Sequence, residues 1–286
     1  MNENELRKIA EDYPFAGRKP KQADTVVRVG EVEFGAGHFA VIGGPCAVES
    51  ERQINEAAAA VSLAGAALLR GGVFKPRTSP YTYQGIGEQG IAMLVAAGKR
   101  CGMPVVSEIT AAEQIPWFAE VDLLQVGARN MQNYALLKAL GQCKQPILLK
   151  RGLSATLQEL LFSAEYILAG GNPNVILCER GIRTYDTITR NTLDLAAVPL
   201  LKKLSHLPVI VDPSHGTGIR SLVLPMSLAA TAAGVDGLMI EMHPHPEQAM
   251  SDGEQSLTVE EFRELIVSVS QLRTVSGNWS RLRDDQ

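Results

Sequence analysis

Eight short runs of Val, Ile and Leu, at residues 39–43, 67–70, 104–107, 122–126, 146–149, 175–178, 208–211 and 237–240, constrain this chain more than any other feature. The runs are continuously apolar, so each reads as a strand buried on both faces. Seven of the segments between them are long enough for a helix, with 51–63, 155–168 and 222–233 the clearest, and a last helix is expected at about 258–272. Strand and helix alternating eight times predict an α/β fold, a closed parallel (β/α)8 TIM barrel. The rival is an open doubly wound sheet, which normally carries GxGxxG after its first strand; here that strand ends in Gly43-Gly44-Pro45-Cys46.

Before the first run, 25–29 and 31–34 read as two strands of a small hairpin capping the barrel bottom, and residues 1–20 as a tail with a short helical stretch ended by Gly17 to Pro20. The expected organisation is tail and hairpin over 1–38, catalytic barrel over 39–272 and a polar tail over 273–286. A net charge of −4 argues against a nucleic-acid binder. No run reaches the roughly 18 apolar residues of a membrane span, and Met1–Pro20 is no signal peptide. Cysteines at 46, 101, 143 and 178, with no CxxC, suit a reducing cytoplasm.

A barrel places its active site at the C-terminal strand ends. One group of residues there is basic: Arg70, Lys75, Arg77, Arg129, Lys150 and Arg180. Two unit charges about 7 Å apart repel by roughly 2.4 kcal/mol at an effective dielectric of 20. So many cations need anions, either structural carboxylates such as Glu108, Glu179 and Asp212 or a substrate rich in phosphate and carboxylate. The second group, Cys46, His215, Glu241 and Asp252, comes from adjacent strands 1, 7 and 8 of a closed barrel and makes a plausible divalent-metal site of no single preference. Lys150 also admits a Schiff-base route, which would leave that second group idle.

Several motifs together resemble the 3-deoxy-D-arabino-heptulosonate 7-phosphate (DAHP) synthase family, also called phospho-2-dehydro-3-deoxyheptonate aldolases. They are Gly43-Gly-Pro-Cys-Ala-Val-Glu-Ser50, Arg70-Gly-Gly-Val-Phe-Lys-Pro-Arg-Thr78, Gln125-Val-Gly-Ala-Arg-Asn130, Leu149-Lys-Arg-Gly152, Glu179-Arg-Gly181, Asp212-Pro-Ser-His-Gly-Thr217 and Ser251-Asp-Gly253. The resemblance spans about 39–272 and is strongest to the short microbial Iβ group, which also holds the 3-deoxy-octulosonate 8-phosphate synthases.

The resemblance implies a transferase of the shikimate pathway to aromatic amino acids, condensing phosphoenolpyruvate with D-erythrose 4-phosphate. It implies a divalent ion, Mn2+ first, with Fe2+, Co2+ and Zn2+ as alternatives, held by Cys46, His215, Glu241 and Asp252. Arg129 and Arg180 would grip the phosphate of phosphoenolpyruvate; Arg70, Lys75 and Lys150 would lie along its carboxylate and the reacting centre; Arg77 and Thr78 would hold the second phosphate. Glu108 and His215 are the candidates for activating water. Lys75-Pro-Arg-Thr78 suits erythrose 4-phosphate, whereas the octulosonate enzymes, users of arabinose 5-phosphate, carry a Lys-Ala-Asn-Arg-type run. His245 replaces a common family Asp and is not expected to be a ligand. A homotetramer or homodimer is the expected assembly, with chorismate mutase a conceivable partner enzyme. A non-catalytic barrel serving only such a partner is the rival of another class. With about 38 residues before the barrel and 14 after, no sensing domain of about 60 residues fits, so inhibition by aromatic amino acids is not expected.

Overall fold

A computed structural model describes residues 12–77 and 79–281, with side chains as far as 275. Strands β1 (Val27–Val29) and β2 (Val32–Phe34) pair antiparallel. Eight further strands follow: β3 (Ala40–Gly44), β4 (Leu68–Arg70), β5 (Val105–Glu108), β6 (Leu123–Val126), β7 (Ile147–Lys150), β8 (Val175–Glu179), β9 (Val209–Val211) and β10 (Gly237–Glu241). They close into a parallel barrel in sequence order, β10 pairing with β3 through the register Gly237↔Ala40 to Glu241↔Gly44. Between them run α1 (Glu51–Ala64), α2 (Gln89–Cys101), α3 (Tyr134–Leu140), α4 (Leu157–Ala169), α5 (Ala197–Leu204), the one-turn α6 (Pro213–Thr217) and α7 (Arg220–Ala232). Helix α8 (Val259–Arg281) closes the ring. The barrel expected from the alternation is therefore present, hairpin included.

Local sequence sets the helix ends. Ser50 accepts from the Gln53 N–H at the start of α1, and Gly65, at φ +100°, ends it. Thr156 and Glu159 cap α4 reciprocally. Three expectations differ. Between β5 and β6 a 3-10 helix (Ala112–Phe118) replaces an α-helix, because Pro116 lacks the N–H an α-helical turn needs. Residues 273–281, expected as tail, continue α8. Residues 12–20 form turns, not helix, and the rest of the expected N-terminal helical stretch lies outside the described residues.

Strand side chains alternate with period two. Val41, Val105, Leu149, Leu177, Val211 and Leu238 point outward into the helix-facing core. Ala40, Ile42, Leu68, Val106, Leu123, Leu148, Ile176, Ile210 and Met239 point inward and meet Val27, Val29 and Phe34 of the hairpin, which plugs the barrel bottom. The same alternation, carried two residues further along the strands, raises a polar layer directly above this apolar one: Arg70, Glu108, Gln125, Lys150, Asp212 and Glu241, with Arg180 four residues beyond Ile176 just past the end of β8. Gly44 leaves room for it. A Cβ there would lie 2.3 Å from the Arg70 carbonyl oxygen and 3.2 Å from Arg70 Cγ.

Candidate active site

The polar layer opens into a cavity at the C-terminal mouth. Arg70, Lys75, Arg77, Arg129, Lys150 and Arg180 all line it, with Glu108, Gln125, His215 and Asp252. Thr78 lies outside the described residues. Some of the cations are paired, as the structural reading allowed: Lys150 Nζ lies 2.5 Å from Asp212 Oδ2 and Arg70 Nη2 3.3 Å from Glu241 Oε1. Arg77, Arg129 and Arg180 have no carboxylate partner among the described residues. Arg180 is nonetheless fixed, donating to the carbonyls of Gly181 and His215 at 3.2 and 3.0 Å, and Arg77 donates to Ser251 Oγ. Guanidinium groups without carboxylate partners, two of them held by hydrogen bonds, suit phosphate and carboxylate oxygens.

At the cavity floor Cys46, His215, Glu241 and Asp252 converge, with one donor atom from each within 4.8 Å of the others. Asp212 orients the imidazole. It accepts from His215 N–H at 2.9 Å and lies 2.7 Å from Nδ1, which turns Nε2 toward Glu241 Oε1 at 3.1 Å. Cys46 Sγ donates to Asp252 Oδ2 at 3.2 Å and accepts from Lys75 Nζ and Ser251 Oγ at 3.0 and 3.1 Å. Asp252 sits at φ +55° in a loop closed by Ser256 Oγ, which donates to the Asp252 carbonyl at 2.9 Å.

The electrostatics match a cation-binding cluster. Burial, reinforced by Glu241, pushes the Cys46 thiol up to about 12 against the pull of Lys75. Burial pushes His215 down, toward the neutral imidazole that ligates metals. Burial raises Asp252 and Asp212, yet His215 and the neighbouring cations hold both below the usual carboxylate range. Glu241 is wholly buried, and its Oε1 has no hydrogen-bond partner. A buried carboxylate oxygen that makes no hydrogen bond and only an ion-pair contact with Arg70, beside a thiol, an imidazole nitrogen and a second carboxylate, fits a divalent ion, which would also deprotonate the thiol.

The Schiff-base route for Lys150 is not supported. Its Nζ is held as the buried ion-pair partner of Asp212, whose same oxygen also holds His215 Nδ1, an arrangement that keeps it an ammonium group and not a free amine. His245 stands outside the cluster, half-exposed and 3.6 Å from Glu56. Two residues were missed. Arg190, on the loop after β8, lines the cavity 3.5 Å from Asp252 Oδ1, and it donates to the buried Gln255 at 2.9 Å. Arg190 lies eleven residues beyond β8 and Gln255 fourteen beyond β10, so strand ends alone could not point to them.

Comparison with known proteins gives one consistent result. The model of the DAHP synthetase I family matches residues 19–276. The chain is 48% identical to a phospho-2-dehydro-3-deoxyheptonate aldolase of Thermotoga maritima, over 94% of this chain and 80% of the relative. A 2-dehydro-3-deoxyphosphooctonate aldolase of Nitrobacter hamburgensis is 33% identical, over 85% of this chain and 91% of its own. The crystal structure of the Thermotoga maritima DAHP synthase superposes with a TM-score of 0.89 at 49% identity, covering 93% of this chain and 78% of that one. A truncated form of that synthase superposes at 0.87 and 45%, covering 93% and 98%.

Proposed function

The chain belongs to the DAHP synthetase I family, and on that premise we propose that it condenses phosphoenolpyruvate with D-erythrose 4-phosphate to give DAHP and inorganic phosphate. One observation carries the reading: six cations line one cavity together with His215 and Asp252 of the four-ligand cluster.

Arg129 and Arg180 hold the phosphate of phosphoenolpyruvate. Arg70 and Lys150 lie along its carboxylate. Arg77, with Thr78, takes the phosphate of the second substrate. These contacts fix two mutually repelling anions so that carbon 3 of phosphoenolpyruvate faces the aldehyde carbon. Cys46, His215, Glu241 and Asp252 would hold the divalent ion, Mn2+ first, and this ion would supply Lewis-acid polarisation of the aldehyde oxygen. Lys75, its Nζ 3.0 Å from Cys46 Sγ, is placed to give a proton to that oxygen as charge develops on it. Water adds at carbon 2, and phosphate leaves.

Of the two candidates for activating water, Glu108 fits better. Its carboxylate lines the cavity without a hydrogen bond among the described residues, whereas both His215 nitrogens face carboxylates. Gly127 makes room for it, since a Cβ there would sit 1.9 Å from Glu108 Oε1.

Four cysteines, all unpaired, support a cytoplasmic location, and no helix among the described residues is long and apolar enough to cross a membrane. The exposed aromatics Phe15, Tyr134, Phe162 and Tyr166 support self-association as a dimer or tetramer. The test of the reading is loss of phosphoenolpyruvate absorbance with Mn2+ and each aldose phosphate. Turnover with erythrose 4-phosphate is expected. Turnover with arabinose 5-phosphate alone would instead make the chain a 3-deoxy-octulosonate 8-phosphate synthase, the activity of its 33% relative.

A further inference from the structure

Arg190 and Gln255 lie beyond the strand ends, yet they tie the two carboxylates of the cluster into one network. We propose that these two are positioning residues, which hold one oxygen of Glu241 and one of Asp252 away from the cation so that each carboxylate offers it a single oxygen. The inference rests on the metal-site reading above and deepens it.

Gln255 is 4% exposed. Its Nε2 donates to Glu241 Oε2, and its Oε1 accepts from Arg190 Nη1 at 2.9 Å. The chemistry of the partners fixes the amide's orientation. A guanidinium only donates and a carboxylate only accepts, so oxygen must face Arg190 and nitrogen must face Glu241. The same Arg190 Nη1 lies 3.5 Å from Asp252 Oδ1. Each carboxylate therefore has one oxygen engaged from behind. The oxygens left over are Glu241 Oε1, which makes no hydrogen bond and lies 3.1 Å from His215 Nε2 and 3.3 Å from Arg70 Nη2, and Asp252 Oδ2, 3.2 Å from Cys46 Sγ. These two, not the engaged pair, face the other ligands.

The network is itself held in place. Arg190 N–H donates to the Thr217 carbonyl at 2.8 Å, and its side chain lies over Gly218, where a Cβ would come within 2.6 Å of Arg190 Cβ. Arg220 Nη2 donates to the Gly253 carbonyl at 3.0 Å, fixing the loop between Asp252 and Gln255. Single-oxygen ligation by both carboxylates limits this chain to four donor atoms, one each of sulfur and nitrogen and two of oxygen, and leaves coordination positions for a substrate oxygen. A glutamate at 255 would set two carboxylates against each other; a leucine would leave Glu241 Oε2 free to turn inward.

The experiment uses the full chain, stripped by chelation and titrated with Mn2+ alone, the free ion being read by electron paramagnetic resonance. Gln255→Leu and Arg190→Leu should each raise the Mn2+ dissociation constant by about 10–100-fold. Arg190→Lys, which keeps the charge, should recover part of the loss. In Gln255→Leu the visible absorption of bound Co2+ should weaken as a second carboxylate oxygen joins the ion. A purely structural role would lower the melting temperature of the stripped protein and leave both readouts unmoved in the folded state. Should Gln255→Leu not fold, Gln255→Met and Arg190→Leu carry the same test. Dissociation constants within twofold of the parent in folded variants, with an unchanged Co2+ spectrum, overturn the proposal. A parent chain that binds no Mn2+ overturns the metal reading as well, so the two failures are distinct.

Discussion

Gly44→Ala separates the geometric argument for the site from simple stability. Gly44 ends β3 at φ +137°, a backbone conformation L side chains rarely adopt, and holding one there costs about 1–3 kcal/mol. The new methyl group would also sit 2.3 Å from the Arg70 carbonyl oxygen and 3.1 Å from the Arg70 nitrogen, both backbone atoms that cannot rotate aside. Forcing that shift adds about 1–3 kcal/mol, as overpacking of a tight interior does. A chain of 286 residues gains about 0.6 kcal/mol/K of entropy on unfolding. The sum, about 2–6 kcal/mol, therefore lowers the melting temperature by about 3–10 °C. Gly37→Ala is the control: φ is +90° there, but nothing lies within 4 Å of the added carbon. It should show the backbone strain alone, about 1–3 kcal/mol, and leave activity unchanged. Gly44→Ala should in addition lower kcat/KM at least about tenfold, because the shift moves Arg70, whose guanidinium stands 3.3 Å from Glu241. Differential scanning calorimetry and steady-state assays measure both effects. Equal melting losses in the two variants, or full activity in Gly44→Ala, would refute the reasoning.

Other consequences follow from the same geometry. Phosphoenolpyruvate at 100 times its dissociation constant should stabilise the fold by about 2.7 kcal/mol, a melting rise of about 4–5 °C at this length, and Arg180→Ala should abolish most of the rise in a thermal-shift assay. Arg77→Ala should raise KM for erythrose 4-phosphate far more than KM for phosphoenolpyruvate in initial-rate measurements. Glu108→Gln should lower kcat about 10²–10⁴-fold while phosphoenolpyruvate still binds in calorimetry. His206 anchors the N-terminal segment as a neutral ring, Nε2 donating to the Phe15 carbonyl and Nδ1 accepting from Thr25 Oγ1, both at 2.7 Å. Burial pushes its pKa down, so below about 6.5 the unfolded chain binds a proton the folded one refuses, and stability falls as pH drops through that window. Denaturant unfolding at stepped pH should show a shallower fall in His206→Gln.

The barrel was legible because buried parallel strands must be continuously apolar, and eight such runs leave few alternatives. The inward polar layer was legible for a related reason. Lys150, two residues beyond Leu148, and Glu241, two beyond Met239, share the inward face that period two assigns them. Arg190 and Gln255 escaped because a long loop folds back by hydrogen bonds, such as Arg190 N–H to the Thr217 carbonyl, which no local pattern announces. The α8 extension to Arg281 was missed because its polar residues resemble a tail in composition, although nothing in them breaks a helix as strongly as Pro116 does between β5 and β6.

The site assignment is tested most directly by an anomalous-scattering map from crystals of this chain grown with Mn2+ and phosphoenolpyruvate. The account predicts one manganese peak bounded by Cys46 Sγ, His215 Nε2, Glu241 Oε1 and Asp252 Oδ2, with the ligand's phosphate on Arg129 and Arg180. A manganese ion bound elsewhere, or phosphoenolpyruvate seated away from those two arginines, would contradict it.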